Sequence, residues 1–354
     1  MKLSDFDFEL PEELIALRPA SQRDFSRLLI ANPNDNSLQD LQFFDLPKLL
    51  KKGDVLVFNN SKTIRAQLNA IRKKRDENSP DVTININLHK FKNQNSWYAF
   101  IKPAKRVNIG DILYFNNNLE AKVLEKNDGE ILLEFNSYGD ELIKEIDAQG
   151  QMPIPPYIGQ KRKVDDKDNQ DYQTIYAKDE GSVATPTAGL HFTESIFNEL
   201  EKIGVETCFV TLHVGAGTFL PVKTDEIIEH KMHSEYFEIP HEVAQIINKA
   251  KGEGRRIICV GTTSLRTLES SIDENGKIIA QNKETDIFLY PGKKIKSADG
   301  LISNFHLPKS TLLMLLGAFC GQEFVSKAYR HAIEQKYRFF SYGDCGLWWK
   351  NNEF

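Results

Sequence analysis

Four turns in the second half of the chain carry the residue types that hold a small polar molecule and move protons on it. Thr185–Phe192 (TPTAGLHF) precedes a predicted helix, and Thr211–Phe219 (TLHVGAGTF) ends a predicted strand. Gly261–Arg266 (GTTSLR) joins a strand to a helix, and Asn304–Ser310 (NFHLPKS) precedes another helix. In open α/β sheets ligands sit outside the carboxyl ends of the strands, where such turns collect. Glycine lets backbone approach a ligand closely, and a helix start offers free N–H groups to an anion. The run Arg256–Arg266 (RIICVGTTSLR) is the fullest of the four. A buried strand feeds Gly261, then the hydroxyls of Thr262, Thr263 and Ser264 at a helix start, with Arg266 in the first turn. That set suits a carboxylate or a phosphate, and a plain capped helix fits it equally well.

Two further patterns point less sharply. Gly215-Ala216-Gly217, with Glu235 twenty residues after Gly215, imitates a dinucleotide-binding turn, but Leu220-Pro221 follows where a helix should open. His230, His233 and Glu235 lie close in sequence without the HExxH spacing of a zinc protease, so exposed histidines at a helix end explain them more simply than a metal does. Cys208, Cys259, Cys320 and Cys345 are far apart with no CxxC spacing, and read as buried inert thiols.

The elements that must position these turns fall into two groups. The chain has 354 residues, room for roughly two domains. With 40% hydrophobic and 27% charged residues it has the composition of a soluble globular protein. In the first 65 residues Pro11 opens a short predicted helix and Val55–Phe58 is a predicted buried strand. From about Gln67 the pattern changes to short strands: Val82–Leu88, Trp97–Ile101, Ile112–Phe115, Leu119–Leu124 and Ile131–Phe135, with a helical pattern from about Gly139. Beyond the proline-rich Gly150–Pro156, strands and helices alternate, with helices from Thr193 to Ile203, Glu242 to Lys251, Ser264 to Ser271, Ser310 to Phe319 and Glu323 to Gln335, and an extended Tyr337–Tyr342. The expected fold class is α/β. A mixed-sheet α/β domain, residues 1–65 and 152–354, carries an inserted all-β, barrel-like domain, residues 66–151.

Charge and segment length narrow the function classes. Lys and Arg number 45 against 50 Asp and Glu, a net charge of −5, which argues against a surface that grips nucleic acid everywhere. Local basic clusters remain at Arg72–Arg75, Lys102–Arg106, Lys161–Lys163 and Lys293–Lys296, with Arg18, Arg23 and Arg27 before them. The amino terminus has acidic residues where a signal peptide needs an apolar stretch. The longest apolar run, Leu312–Cys320, falls short of the about 20 residues that cross a bilayer. A cytoplasmic protein without membrane association is expected.

Long motifs in one order resemble the S-adenosylmethionine:tRNA ribosyltransferase-isomerase family of queuosine biosynthesis. They include Phe6-Asp7-Phe8-Glu9-Leu10-Pro11, Arg18-Pro19 through Arg27-Leu28, Gly53–Arg65 (GDVLVFNNSKTIR), Gly150–Tyr157, Tyr172–Tyr176 (YQTIY) and Val183–Phe192. The likeness continues through Val210–Phe219, His230–Glu235, Val260–Leu268, Leu301–Gly317 and Tyr337–Asp344 (YRFFSYGD). The middle β region and residues 345–354 resemble the family least.

The resemblance implies an activity and a division of labour. The family transfers the ribosyl part of S-adenosylmethionine to a 7-aminomethyl-7-deazaguanine at the wobble position of tRNAs with G-U-N anticodons. Isomerisation of the sugar gives epoxyqueuosine, with release of adenine and methionine. S-adenosylmethionine is then a co-substrate, and no cofactor or metal is expected; a monomer is expected. The chemistry needs a base at C5′ and an acid for departing adenine. His191, His213 and His306 are the candidates for proton transfer, with His233 and Glu235 as a second pair. Thr262, Thr263, Ser264 and Arg266 are candidates for the methionine carboxylate or ribose hydroxyls, and Gly215 and Gly217 for close approach to the adenosine part. Arg18, Arg65, Arg72 and Arg75 are candidates for tRNA phosphates.

Overall fold

In the computed structural model, which describes residues 1–77, 79–127, 129–215, 217, 222 and 224–353, seventeen strands form one large sheet, one barrel and one small ribbon. Arg27–Asn32 (β1), Ser37–Gln42 (β2), Val55–Asn59 (β3) and Ser61–Thr63 (β4) precede the barrel strands. These are Gln67–Arg72 (β5), Val82–Asn93 (β6), Ser96–Lys102 (β7), Ile112–Tyr114 (β8), Glu120–Asn127 (β9) and Glu130–Phe135 (β10). Asp179–Ser182 (β11), Glu206–Leu212 (β12), Glu235–Ile239 (β13), Ile257–Val260 (β14), Gln281–Thr285 (β15), Gly300–Asn304 (β16) and Cys345–Trp349 (β17) follow.

The nine-stranded sheet has the order β15-β13-β12-β3-β14-β16-β17-β1-β2. Its centre, β12, β3, β14 and β16, is parallel. These strands are apolar and β-branched and buried on both faces, as Val55–Asn59 and Gly300–Asn304 show at every position. The outer pairs β12–β13, β13–β15, β16–β17 and β1–β2 are antiparallel. On one face Phe58 packs edge-on against Phe192 and Tyr176, with ring centres 4.8 and 5.1 Å away. Burying side chains of this size contributes about 1.5–3 kcal/mol each. The other face holds the helices His241–Gly252, Thr262–Glu269 and Thr311–Cys320 through Ile247, Leu265 and Leu316.

The barrel is closed, in the order β10-β7-β6-β5-β8-β9, with every pairing antiparallel. Strict alternation along β5, exposed then buried, sends Leu68, Ala70 and Arg72 to one side. The helix Gly139–Gln149 adds Leu142 and Ile146 to the barrel core. Where the chain enters and leaves this unit, Gln67 and Gln151 exchange two backbone hydrogen bonds of 3.2 and 2.8 Å. Lys90 on β6 reaches Glu284 on β15 at 3.0 Å and ties the barrel to the sheet.

Two local expectations fail. Residues from Pro11 form only a single 3-10 turn, Glu12–Leu14, because Ala16 N–H donates to the Phe339 carbonyl and Phe339 N–H to the Leu14 carbonyl. Tertiary pairing of the backbone wins there over local helix propensity. Tyr337–Tyr342 makes only that one bridge, between Ile15 and Phe339, and then turns; the strand is β17, a few residues later. All four cysteines are buried and unpaired. Among the described residues no helix is long and apolar enough to cross a membrane, and no three His, Cys, Asp or Glu side chains are grouped to hold a metal.

Candidate active site

The four parallel strands end at Leu212, Asn59, Val260 and Asn304, and a cleft of about 780 Å3, its open mouth included, lies beyond them. Asn59 ties two strand ends together: its carboxamide donates to the Leu212 carbonyl at 2.9 Å and accepts from Leu212 N–H at 3.0 Å. The turn after β11 is laced to the turn after β12, since Val214 N–H donates to Ser182 Oγ and Val183 N–H to the Val214 carbonyl, both at 2.9 Å. The 3-10 turn Thr187–His191 and the start of the helix Thr262–Glu269 form further walls.

Among the described lining residues, His306 and Tyr157 alone carry ionisable side chains. The rest of the polar surface is hydroxyl or amide: Thr185, Thr187, Thr262, Thr263, Ser303, Asn304, Ser310 and Ser341. Thr185 Oγ1 is committed to the Tyr172 carbonyl at 2.6 Å. Thr263 Oγ1 is buried with no partner among the described residues, at a helix start whose first N–H groups are unsatisfied by the helix itself. His306 bonds Ser303 Oγ through Nε2 at 2.8 Å, and its own N–H donates to the Tyr329 hydroxyl at 2.8 Å. Burial holds its imidazole down at about 3, so it is neutral at neutral pH.

An aromatic wall faces these groups. Tyr157 and Phe340 meet edge to face, ring centres 5.0 Å apart. Phe340 has φ +74°, a left-handed conformation that costs a bulky residue about 1–3 kcal/mol. Its N–H is held by the Phe305 carbonyl at 3.0 Å, and Ser341 N–H donates to the Tyr157 hydroxyl at 2.9 Å. Flat apolar rings beside hydroxyl and amide donors suit a nucleoside-like ligand.

The structure brings some of the sequence candidates together and separates others. Thr262, Thr263 and His306 line the cleft. His191 stands directly behind it, 5% exposed, bonded to Ser26 and Asn304. Ser264 is fully buried and its hydroxyl donates back to the Val260 carbonyl at 2.9 Å, so it serves the helix rather than the cleft. Arg266 is 4% exposed and paired with Glu235, whose other oxygen accepts from Gly215 N–H at 3.0 Å. The arginine thus braces the Gly215 turn from beneath and is turned away from a cleft carboxylate. Gly217 lies against His233, where an added methyl carbon would meet the ring at 2.5 Å; Ala216 and Thr218–Pro221 lie outside the described residues. His213 stacks on Tyr236 with ring centres 5.9 Å apart, and burial lowers its pKa. His233 is exposed.

The four arginines expected at phosphates are each engaged by carboxylates or backbone carbonyls. Arg18 is paired with Asp165, Asp168 and Asp171, Arg65 donates to the Asp147 carbonyl at 3.0 Å, and Arg75 is paired with Asp111 at 2.5 Å. Arg72 corrects the expectation outright: it is 3% exposed and donates to the Lys73 carbonyl at 2.8 Å, so it cannot reach a phosphate. Sequence reasoning also passed over Asn304, Thr187, Ser303, Tyr157 and Phe340. Asn304 and Thr187 stand in turns already marked by their glycines and histidines and Ser303 lies one residue before such a turn, whereas nothing in the sequence signals a phenylalanine in a left-handed conformation.

Comparison with known proteins gives the family. The profile of the family described as "Queuosine biosynthesis protein" matches residues 3–348. The S-adenosylmethionine:tRNA ribosyltransferase-isomerase of Agrobacterium fabrum is 49% identical over 99% of this chain and 100% of its own. That of Phenylobacterium zucineum is 50% identical over 99% and 100%. The crystal structure of the S-adenosylmethionine tRNA ribosyltransferase of Thermotoga maritima superposes with a TM-score of 0.55 at 34% identity, covering 97% of this chain and 99% of that one. With a full-length profile match and near-complete relatives at half identity, the chain belongs to the S-adenosylmethionine:tRNA ribosyltransferase-isomerase family of queuosine biosynthesis, a family of enzymes.

Proposed function

We propose that this protein transfers and isomerises the ribosyl part of S-adenosylmethionine onto 7-aminomethyl-7-deazaguanine at the wobble position of tRNA. The product is epoxyqueuosine-tRNA, and adenine and methionine leave. Acceptor tRNAs carry G-U-N anticodons, the enzyme acts as a monomer, and S-adenosylmethionine is a co-substrate with no further cofactor. The observation that carries this reading is the nearly uncharged cleft at the ends of β12, β3, β14 and β16, with neutral His306 among hydroxyl and amide donors.

The chemistry follows from that environment. The sulfonium acidifies the C5′ hydrogen, and His306 takes that proton. The transfer moves one positive charge from the reacting carbon's surroundings to the imidazole, so burial opposes it less than it opposes protonation from water. The imidazolium formed is then an acid that can return its proton to departing adenine. General acid–base help of this kind contributes about 10²–10⁴-fold. Thr262 and Thr263, at a helix start, hold the methionine carboxylate by hydroxyl and N–H donors rather than by a guanidinium. Excluding water while orienting the amine against a sugar carbon supplies much of the remaining rate.

The test is incubation with S-adenosylmethionine and tRNA bearing the wobble aminomethyl-deazaguanine, followed by mass spectrometry. Adenine, methionine and an epoxycyclopentyl nucleoside are expected. S-adenosylhomocysteine would replace the proposal with methyl transfer, and intact S-adenosylmethionine beside folded protein would overturn it.

A further inference from the structure

Behind the cleft, hydrogen bonds run in one direction, and the direction is set at the end far from the ligand. Ser26 Oγ lies 3.1 Å from the Arg23 carbonyl, which can only accept, so the hydroxyl hydrogen is spent there. With that hydrogen on the carbonyl, the serine oxygen accepts from His191 Nδ1, 2.7 Å away. Burial, with the positive charge of Arg338 adding to it, holds His191 at about 3, so the ring carries a single proton at neutral pH. With that proton on Nδ1, Nε2 is a lone pair, and it accepts from Asn304 Nδ2 at 3.2 Å.

That bond fixes the Asn304 carboxamide. Its Oδ1 faces Thr187 Oγ1, which donates at 3.2 Å. Turning the amide over would need the proton on Nε2 instead, and would forfeit the Ser26 bond to the Arg23 carbonyl. Asn304 is 4% exposed and lines the cleft beside Thr187. A carboxamide has two N–H groups; one goes to His191, and no described residue takes the other.

We propose that His191 is a positioning residue. Through Nε2 it locks the Asn304 carboxamide so that the remaining N–H donates to an acceptor atom of bound S-adenosylmethionine, an oxygen or ring nitrogen. His191 itself carries no proton in the reaction. The inference rests on the reading of the cleft as the S-adenosylmethionine site.

Steady-state kinetics with both substrates, for the wild type, His191→Ala, His191→Gln, Asn304→Ala and the double alanine variant, test it. One hydrogen bond to a ligand is worth about tenfold in affinity. Each alanine variant is therefore expected to raise the KM for S-adenosylmethionine about tenfold, with the KM for tRNA and the shape of the kcat–pH profile unchanged. Because the two residues act as a unit, the double variant is expected to be no worse than either single one. His191→Gln restores most of the affinity, since its Oε1 can accept where Nε2 did; it also decides the matter if His191→Ala does not fold. Nitrogen-15 NMR of the wild type is expected to place the His191 proton on Nδ1. Additive losses, a Gln variant no better than Ala, an Nε2–H ring, or loss of one limb of the pH profile would each overturn the proposal. A wild type that does not consume S-adenosylmethionine overturns the site reading itself, whereas turnover with an unmoved KM in the variants overturns only the positioning role.

Discussion

Removing the carboxylate of Glu235 strands a guanidinium inside the protein, and the cost can be worked from the partners. Glu235 and Arg266 are each 4% exposed, and Arg266 Nε and Nη2 have no hydrogen-bond partner among the described residues. The pair through Nη1 is therefore what offsets the buried charge. Breaking a buried pair by deleting one member costs about 3–5 kcal/mol. Orphaning the Gly215 N–H adds about 1–3 kcal/mol. From these two partners alone Glu235→Leu is expected to lose about 4–8 kcal/mol, against a typical total stability of about 5–15 kcal/mol. Glu235→Gln keeps an acceptor for Gly215 and is expected to lose only the charge part. Glu235→Leu combined with Arg266→Met removes both charges and should recover most of the loss. Urea unfolding followed by tryptophan fluorescence reads this in a Trp97→Phe background, where Trp348 and Trp349 on β17 report on the sheet alone. A Glu235→Leu variant within about 1 kcal/mol of its parent would refute the reasoning, as would a double variant no more stable than the single one.

Three other substitutions or conditions follow from the same geometry. An alanine at Gly189 would place its methyl carbon 1.9 Å from the Tyr176 hydroxyl, which is buried among Phe58, Phe197 and Phe209. Gly189→Ala is expected to lower the melting temperature by an overpacking cost of about 1–3 kcal/mol, and an unchanged melt contradicts that. His191 and His306 stay neutral down to about 3 in the folded chain but take protons at their ordinary 6.5 when unfolded. Stability therefore falls as pH drops from about 6.5 toward 3, by about 2 kcal/mol per histidine at pH 5; equal melting temperatures at pH 7 and pH 5 would count against it. Arg72→Met is expected to leave tRNA affinity and its salt dependence unchanged, since the guanidinium is spent inside the barrel. A salt slope reduced by about one charge would show that it meets a phosphate after all.

What the sequence disclosed depended on whether a signal was local. The barrel strands β6, β7 and β9 were legible because one face is buried and the other wet, so apolar and polar residues alternate, whereas β5 was missed. The helix Glu194–Ile203 was legible from its ends: Thr193 caps it, and Gly204 follows in a left-handed conformation. By contrast Ser37–Gln42, an edge strand with no fully buried residue, carries no such pattern and was missed. So were β1 and β17, whose pairing joins segments more than three hundred residues apart. In the site, glycines, threonines and histidines marked the turns, but not which side chain faces the ligand. Ser264 and Arg266 sit in the same turn of helix as Thr262 and Thr263, yet their partners Val260 and Glu235 turn them away. Arg18 and Arg75 look basic in sequence and are neutralised in space by aspartates far along the chain.

The pairing of β1 with β17 also fixes an order of events during synthesis. The barrel and its helix, residues 67–149, form one uninterrupted stretch and can close as soon as they leave the ribosome. Strand β3, at the middle of the sheet, must wait for β12 on one side and β14 on the other. The hairpin of β1 and β2 waits longest, because its parallel neighbour emerges about 200 residues after the barrel is complete. At about 5–20 residues per second that interval is about 10–40 s. Through it the nascent chain displays a finished barrel beside a hairpin whose inner strand, with Leu28, Leu29 and Ala31 bound for the core, is open along one edge.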